Sequence, residues 1–482
     1  MKGSSGDILS DSNVAVTALA APAYPVQNDE SSEVRQALKR VANELHWSEE
    51  GRGAFGRIIP RGARVLVKPN LVLHENEGPW GIEPLVTNLS LISAAVEEAL
   101  CAEPGEVIVG DAPLQGCDFD RLLVATGMGQ WADNLMKRDP RFKGVRDFRR
   151  TTCVFVDGVR MAAEGVQTED RFVLFDLGRN SLLEPITSDS DSFRVTCYDP
   201  RLLARTHSSE RHQYLIAREV IEADVIINLP KLKTHKKAGI TCALKNLIGI
   251  NGNKEYLPHH RIGGSHSGGD CYPDSSLIKQ AMEYISDKEY MTSSVSKARL
   301  WHGIGRQFQR ALHLTGDKLG IEGSWSGNDT IWRTCLDLNR ILLYGQNDGT
   351  LADRPQRRVL HVVDAVVAGQ GDGPLRPQPL PLGLIMAGQN AAAVDWVGAQ
   401  LLQYEPDRVM IVSRAFGDFS WPLTRFKPDA IQILGDWKTG KAAQVFMKRD
   451  NSLSVIHPMG WRDVTRSASG VESINTKFEQ AG

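Results

Sequence analysis

Residues 228–264 concentrate the side chains of this sequence that could do chemistry. The stretch reads Asn-Leu-Pro-Lys-Leu-Lys-Thr-His-Lys-Lys-Ala-Gly-Ile-Thr-Cys-Ala-Leu-Lys-Asn-Leu-Ile-Gly-Ile-Asn-Gly and continues to His259-His260-Arg261, with seven cationic groups and three histidines in all. Lys231 and Lys233, beside a turn, can hold a carboxylate or phosphate as point charges. His235, His259 and His260 offer acid–base or metal-ligating nitrogens. Lys245 lies between Ala243-Leu244 and Leu247-Ile248. In such an apolar setting an ammonium needs a partner, or loses its proton and becomes a base or nucleophile. His235 and Lys245 are therefore the candidate catalytic pair, and Asn246 adds a polar group beside them. Lys236, Lys237 and Lys254 read as solvated surface charges.

Such groups act together only if secondary structure brings them to one place. Arg64-Val-Leu-Val-Lys-Pro-Asn, Glu106-Val-Ile-Val-Gly-Asp-Ala-Pro, Ala223-Asp-Val-Ile-Ile-Asn-Leu-Pro, Val359-Leu-His-Val-Val-Asp and Leu382-Gly-Leu-Ile-Met-Ala-Gly read as strands that end in turns. Helical spacing follows Asn88 and recurs over 391–402, and a helix is expected around Tyr214 to Ile221. The fold expected is α/β, a mostly parallel sheet with helices on both faces, carrying a mixed β-containing insert at about 115–200 and a helical insert at 274–347. Its core would occupy 13–273 and 348–440, after an unstructured start over 1–12 and before a C-terminal extension over 441–482.

In open α/β sheets ligands bind beyond the carboxyl ends of the strands. Those ends carry Lys68 and Asn70, Asp111, Lys231 with Lys233, Asp364, and then Asp372 in the glycine-rich turn after it. Lys68, Asn70, Lys231, Lys233, Asn246, His259 and His260 are thus the candidate substrate-binding residues. Asp111, Asp364 and Asp372 are candidate ligands for a divalent metal, or else orient the lysines. Asp395, inside a helix, is expected to be buried against a lysine.

The 56 basic and 58 acidic residues nearly cancel, for a formal net charge of −2, so the chain as a whole does not attract polyanions. A nucleic-acid partner is not expected, and the tryptophans at 301, 325 and 332 read as the packing of a helical cap. No stretch reaches the roughly 18 apolar residues of a membrane span, so no membrane partner is expected. Seven dispersed cysteines without a C-x-x-C pair suit reduced thiols in a cytoplasm and argue against an iron–sulfur cluster. The remaining partners are a small anionic molecule, a redox partner protein or a second copy of the chain.

Val67-Lys-Pro-Asn-Leu, Ile108-Val-Gly-Asp-Ala-Pro, Ile227-Asn-Leu-Pro-Lys-Leu-Lys-Thr-His, Ala243-Leu-Lys-Asn-Leu-Ile-Gly, Gly371-Asp-Gly-Pro-Leu and Ala393-Val-Asp together resemble the domain-of-unknown-function 362 family, from about residue 60 to 415. That family is sometimes attached to ferredoxin-like iron–sulfur modules. The block His-x-x-Ala-Gly, with Lys245 ten positions after His235, also looks like the active-site block of nickel-pincer lactate racemases. This second resemblance implies a nickel-pincer nucleotide carried on Lys245 and a catalytic base at His235. The expectation is an enzyme acting on a small carboxylate or phosphate by proton or hydride transfer, of racemase-like or oxidoreductase-like type. The alternative is a non-catalytic protein that binds an anionic metabolite or a redox partner.

Overall fold

Segments such as Val65-Leu66-Val67 and Val225-Ile226-Ile227 are apolar at every position. They are stable as strands only when both faces of the sheet are covered. The computed structural model describes residues 7–25, 32–156, 159–160, 164–317, 319–436 and 454–465. The elements that matter for the site are β1 (Asn13–Ala18), α1 (Glu33–Glu44), β2 (Arg64–Pro69), α2 (Leu89–Cys101), β3 (Glu106–Asp111), β4 (Phe142–Asp147), β5 (Val225–Leu229), β6 (Lys231–His235), β7 (Gly239–Thr241), α3 (Ala243–Asn246), α4 (Leu277–Tyr290), α5 (Val295–Leu314), α6 (Ile331–Tyr344), β8 (Arg358–Asp372), β9 (Arg376–Gly388), α7 (Ala391–Leu401) and β10 (Gln432–Gly435).

The main sheet runs β10-β1-β9-β8-β5-β2-β3-β4; β6 pairs onto the far half of β8, and β7 pairs onto β6. Its centre is parallel: Ile227 lies level with Val67 of β2 and Leu360 of β8. Only β9 runs against its neighbours in the main path. One face packs α1 and α2, the other α6 and α7, and the two apolar clusters draw alternate residues from the same strands, as Val14 and Ala15 do. The fold is therefore α/β, with a mostly parallel sheet between two helical layers.

Three local expectations change. The stretch 115–200 is not wholly an excursion, because β4 within it forms the edge of the main sheet. Within 274–347 only α4 and α5 lie at the periphery. The sequence Ile-Trp-x-x-Cys-Leu-x-Leu-x-x-Ile-Leu-Leu-Tyr of α6 buries nearly every residue in the core, Trp332 included. The helix expected around Tyr214 to Ile221 is instead a strand over Arg211–Ala217, paired with Phe172–Asp176, and one short helical turn over Arg218–Glu222. Tyr214 and Ile216 alternate inward there, a period of two that the short apolar run disguised.

Of the expected start over 1–12, residues 7–12 form a turn tied to Arg425 by Asp7 at 2.8 Å, and 1–6 lie outside the described residues. Of the extension over 441–482, residues 454–465 pack Trp461 under the loop after β6, its indole N–H on the Lys236 carbonyl at 2.7 Å, and the remainder lies outside the described residues. Among the described residues no helix is long and apolar enough to cross a membrane.

Candidate functional site

Strand order decides which lysine meets which aspartate. β2 and β3 are neighbours, and Lys68 Nζ lies 2.7 Å from Asp111 Oδ1, both side chains buried. Asp111 also accepts the Leu71 backbone N–H at 2.7 Å through its other oxygen. Gly249 permits this pair, since a Cβ there would sit 1.8 Å from Asp111 Oδ1 and 2.7 Å from Lys68 Nζ. On β6, Lys231 Nζ lies 2.7 Å from Asp364 Oδ2 with neither side chain exposed. The Tyr24 hydroxyl donates to Asp364 Oδ1 at 2.7 Å and accepts from Lys231 at 2.5 Å. Burial pulls both lysines below the ordinary lysine range, and their aspartates oppose the shift.

Between the two ion pairs lies a rail of amides. Lys233 Nζ donates to Asn70 Oδ1 at 2.9 Å and to the Leu85 carbonyl at 2.5 Å. The Asn70 amide donates to Asn246 Oδ1 at 3.0 Å, and the Asn246 amide to Asn228 Oδ1 at 2.7 Å. Among the described residues Lys233 has no carboxylate partner, and burial together with Lys231 and Lys245 holds it well below its usual pKa. Asp395 on α7 does not meet a lysine as expected. It is fully buried and accepts the backbone N–H groups of Ala243 and Leu244, at 2.6 and 3.3 Å, so it fixes the start of the short helix that carries Lys245 and Asn246. Burial raises its carboxyl to about 7.

Lys245 is 8% exposed, and its ammonium has neither an ion pair nor a hydrogen bond among the described residues. Burial lowers its pKa, and Lys68 adds to the effect. Lys237 and Lys254, expected to be solvated, are buried too. Lys237 donates to Thr196 Oγ1 at 2.6 Å and Lys254 to the Ala112 carbonyl at 2.8 Å. Burial brings them down to about 8 and about 7. Lys236 alone of the three is partly open, and it pairs with Glu322 at 2.7 Å.

Hydrogen bonding sorts the histidines. His235 Nδ1 accepts the backbone N–H groups of Lys237 and Ala238 at 3.0 and 3.1 Å, which leaves the proton of the neutral ring on Nε2. His235 is therefore a hydrogen-bond donor. His259 Nδ1 faces the Leu257 carbonyl at 2.6 Å and must carry the proton, so its Nε2 keeps a lone pair able to take one. Burial and the surrounding lysines, Lys245 for His235 and Lys237 for His259, hold both rings well below the usual histidine pKa and thus neutral. The role of base expected of His235 fits His259 better.

Residues 199–400 match the family model described as Domain of unknown function (DUF362), and this segment includes β5 to β9, α3 and Lys231, His235, Lys245, Asp364 and Asp395. A thylakoid-associated protein of Synechocystis sp. is 21% identical over 359 residues, which are 74% of this chain and 68% of that protein. Two solved structures are distantly similar. A protein from Thermotoga maritima has a TM-score of 0.31 at 10% identity, over 78% of this chain and 59% of its own. The lactate racemase apoprotein from Thermoanaerobacterium thermosaccharolyticum has a TM-score of 0.28 at 12% identity, over 83% and 58%. The chain spans less than two thirds of either solved chain.

The strand geometry separates the three aspartates. Asp111 and Asp364 are each engaged by a lysine on a different side of β5, and Asp372 is exposed on the hairpin between β8 and β9. The three do not converge, because β8 runs eight residues past Asp364 before the chain turns. Among the described residues no group of three or more His, Cys, Asp or Glu is placed to hold a metal ion. With the His235 Nδ1 filled by backbone donors, the donor set does not fit a nickel-pincer nucleotide either.

A cleft of about 500 Å³ opens between the α4–α5 hairpin and the β8–β9 turn, bounded by Lys236, His260, Glu322, Asp372 and Arg376. Of the expected site residues it includes only His260 and Asp372. Lys68, Asn70, Lys231, Lys233, Asn246 and Lys245 lie apart from its walls, at the buried strand ends. Tyr24, Asn228 and Lys254 belong to the same polar layer and were not singled out from sequence. For Asn228 there was a signal, a single amide inside the apolar run Val225–Leu229.

Proposed function

We propose that the buried lysine layer at the strand ends binds the anionic group of a small carboxylate or phosphate, and that the chain is an enzyme acting on it by proton transfer. The observation that carries this reading is Lys245, 8% exposed and without a counter-ion among the described residues, in a layer where Lys68 and Lys231 each have an aspartate. An unpaired buried ammonium costs several kcal/mol, roughly, unless it is neutral or meets an anion. Lys233 and Lys245 supply the charge, Asn70 and Asn246 the orienting amides, and the Nε2–H of His235 a further donor. His259 is the base.

Inorganic phosphate and lactate, titrated calorimetrically, are the probes, with deuterium exchange at the carbon beside the lactate carboxylate as the readout of proton transfer. Lys245→Met should abolish binding of the probe that wild type binds, and His259→Gln should keep binding and lose exchange. Unchanged binding by Lys245→Met refutes the proposal. A non-catalytic anion-binding protein is the second reading, favoured by the saturated Nδ1 of His235. Tight binding without exchange in wild type would establish it. We also propose a cytoplasmic location, which the seven free cysteines support.

A further inference from the structure

Helix α5 carries its charge and its exposed leucines in an uneven pattern. Its twenty residues contain Lys297, Arg299, Arg306 and Arg310 and no aspartate or glutamate, in a chain whose acidic and basic residues otherwise balance. Only Ala298 and Leu312 are buried. At about 100° per residue, Leu300, Ile304, Ala311 and Leu314 fall within about 80° of arc on the side away from these two, an arc they share with the polar Ser296 and Gln307. Leu300 is 61% exposed and Leu314 is 91% exposed. Lys297 borders this apolar stripe on one side and Arg310 on the other. Both are exposed, and neither has a carboxylate partner among the described residues.

We infer that α5 docks on an anionic phospholipid bilayer, lying in the interface with its apolar stripe toward the acyl chains. An amphipathic helix whose polar flank is cationic and acid-free meets the two demands of such a surface at once. The cations pair with lipid phosphates while Leu300 and Leu314 leave water. A nucleic acid or an acidic protein would satisfy the charges and leave the leucines without an apolar acceptor. The contact is peripheral, consistent with the absence of a spanning helix among the described residues.

The test is co-sedimentation of the full chain with vesicles of equal parts phosphatidylglycerol and phosphatidylcholine, and with vesicles of phosphatidylcholine alone. Binding should favour the anionic vesicles and weaken with added salt. Each basic side chain near such a surface contributes about fivefold, so Lys297→Glu with Arg310→Glu should cut partitioning by about 25-fold or more. Leu300→Ser with Leu314→Ser should cut it by at least about tenfold. Equal partitioning on the two vesicle types, or no binding of wild type, overturns the inference, and neither result depends on a variant folding. So does an unchanged leucine variant, which would mark a contact made by charge alone, as with RNA.

Discussion

Replacing Lys254 by methionine should flatten the pH dependence of stability. Lys254 is 4% exposed, donates only to carbonyl oxygens, and is brought by burial from 10.5 to about 7. The unfolded chain therefore holds a proton on this lysine, between those two values, that the folded chain has released. Stability contributed by such a group rises with pH across the window, and the penalty is complete below it. The penalty is about 5 kcal/mol at pH 6 and about 1.5 kcal/mol at pH 9.5, a change of about 3 kcal/mol. Methionine keeps the length and the packing. It also removes the hydrogen bond to Ala112, worth about 1 kcal/mol at either pH, which cancels from the difference. Urea unfolding of wild type and Lys254→Met at pH 6 and pH 9.5 measures it. The wild-type midpoint should rise relative to the variant's by the equivalent of about 3 kcal/mol. Parallel behaviour of the two proteins would refute the claim that this lysine is buried without adequate compensation.

Two further outcomes follow from the same geometry. Asp111→Ala leaves Lys68 buried and unpaired and should destabilise by about 3–5 kcal/mol, whereas Lys68→Met with Asp111→Leu should recover most of that loss; additive losses in a double-mutant cycle by urea unfolding would contradict the pairing. Gly249→Ala pushes a methyl into the Lys68–Asp111 contact and should cost about 1–3 kcal/mol in thermal unfolding. Gly81→Ala, where a Cβ meets nothing within 4 Å, is its control and should be neutral.

The strands and the polar residues at their ends were legible in the sequence because apolar runs stopped abruptly at Lys68-Pro69-Asn70 and Pro230-Lys231. The partners were not. That Lys68 meets Asp111 and Lys231 meets Asp364 follows from the order β8-β5-β2-β3, which no local pattern encodes. Tyr24 stands 340 residues from the aspartate it touches, and nothing in its own surroundings marks it. Lys237 and Lys254 read as surface charges because residue type speaks for exposure. Their burial depends on Thr196 and the Ala112 carbonyl, supplied by distant segments. Asp372 was misplaced for a different reason. A strand was expected to end at Asp364, and β8 continues in one fifteen-residue run that carries Asp372 to the hairpin.

The division between paired and unpaired lysines is what gives the layer its chemical sense. Lys68 and Lys231 are neutralised by Asp111 and Asp364, and each of those aspartates also accepts a backbone N–H, from Leu71 and Asn88, so the two pairs hold loops at the strand ends. These aspartates are consequently spoken for and leave no carboxylate to spare for Lys233 or Lys245. Asp395, which could have served Lys245, instead receives the two N–H groups that open α3. Asp111, Asp364 and Asp395 thus each have a structural duty. The fold spends three buried carboxylates on its backbone and two ammoniums and leaves Lys233 and Lys245 without one among the described residues, which is the arrangement the proposed anion site rests on. Under that proposal a carboxylate or phosphate ligand would supply the charge without disturbing the pairs that shape the site.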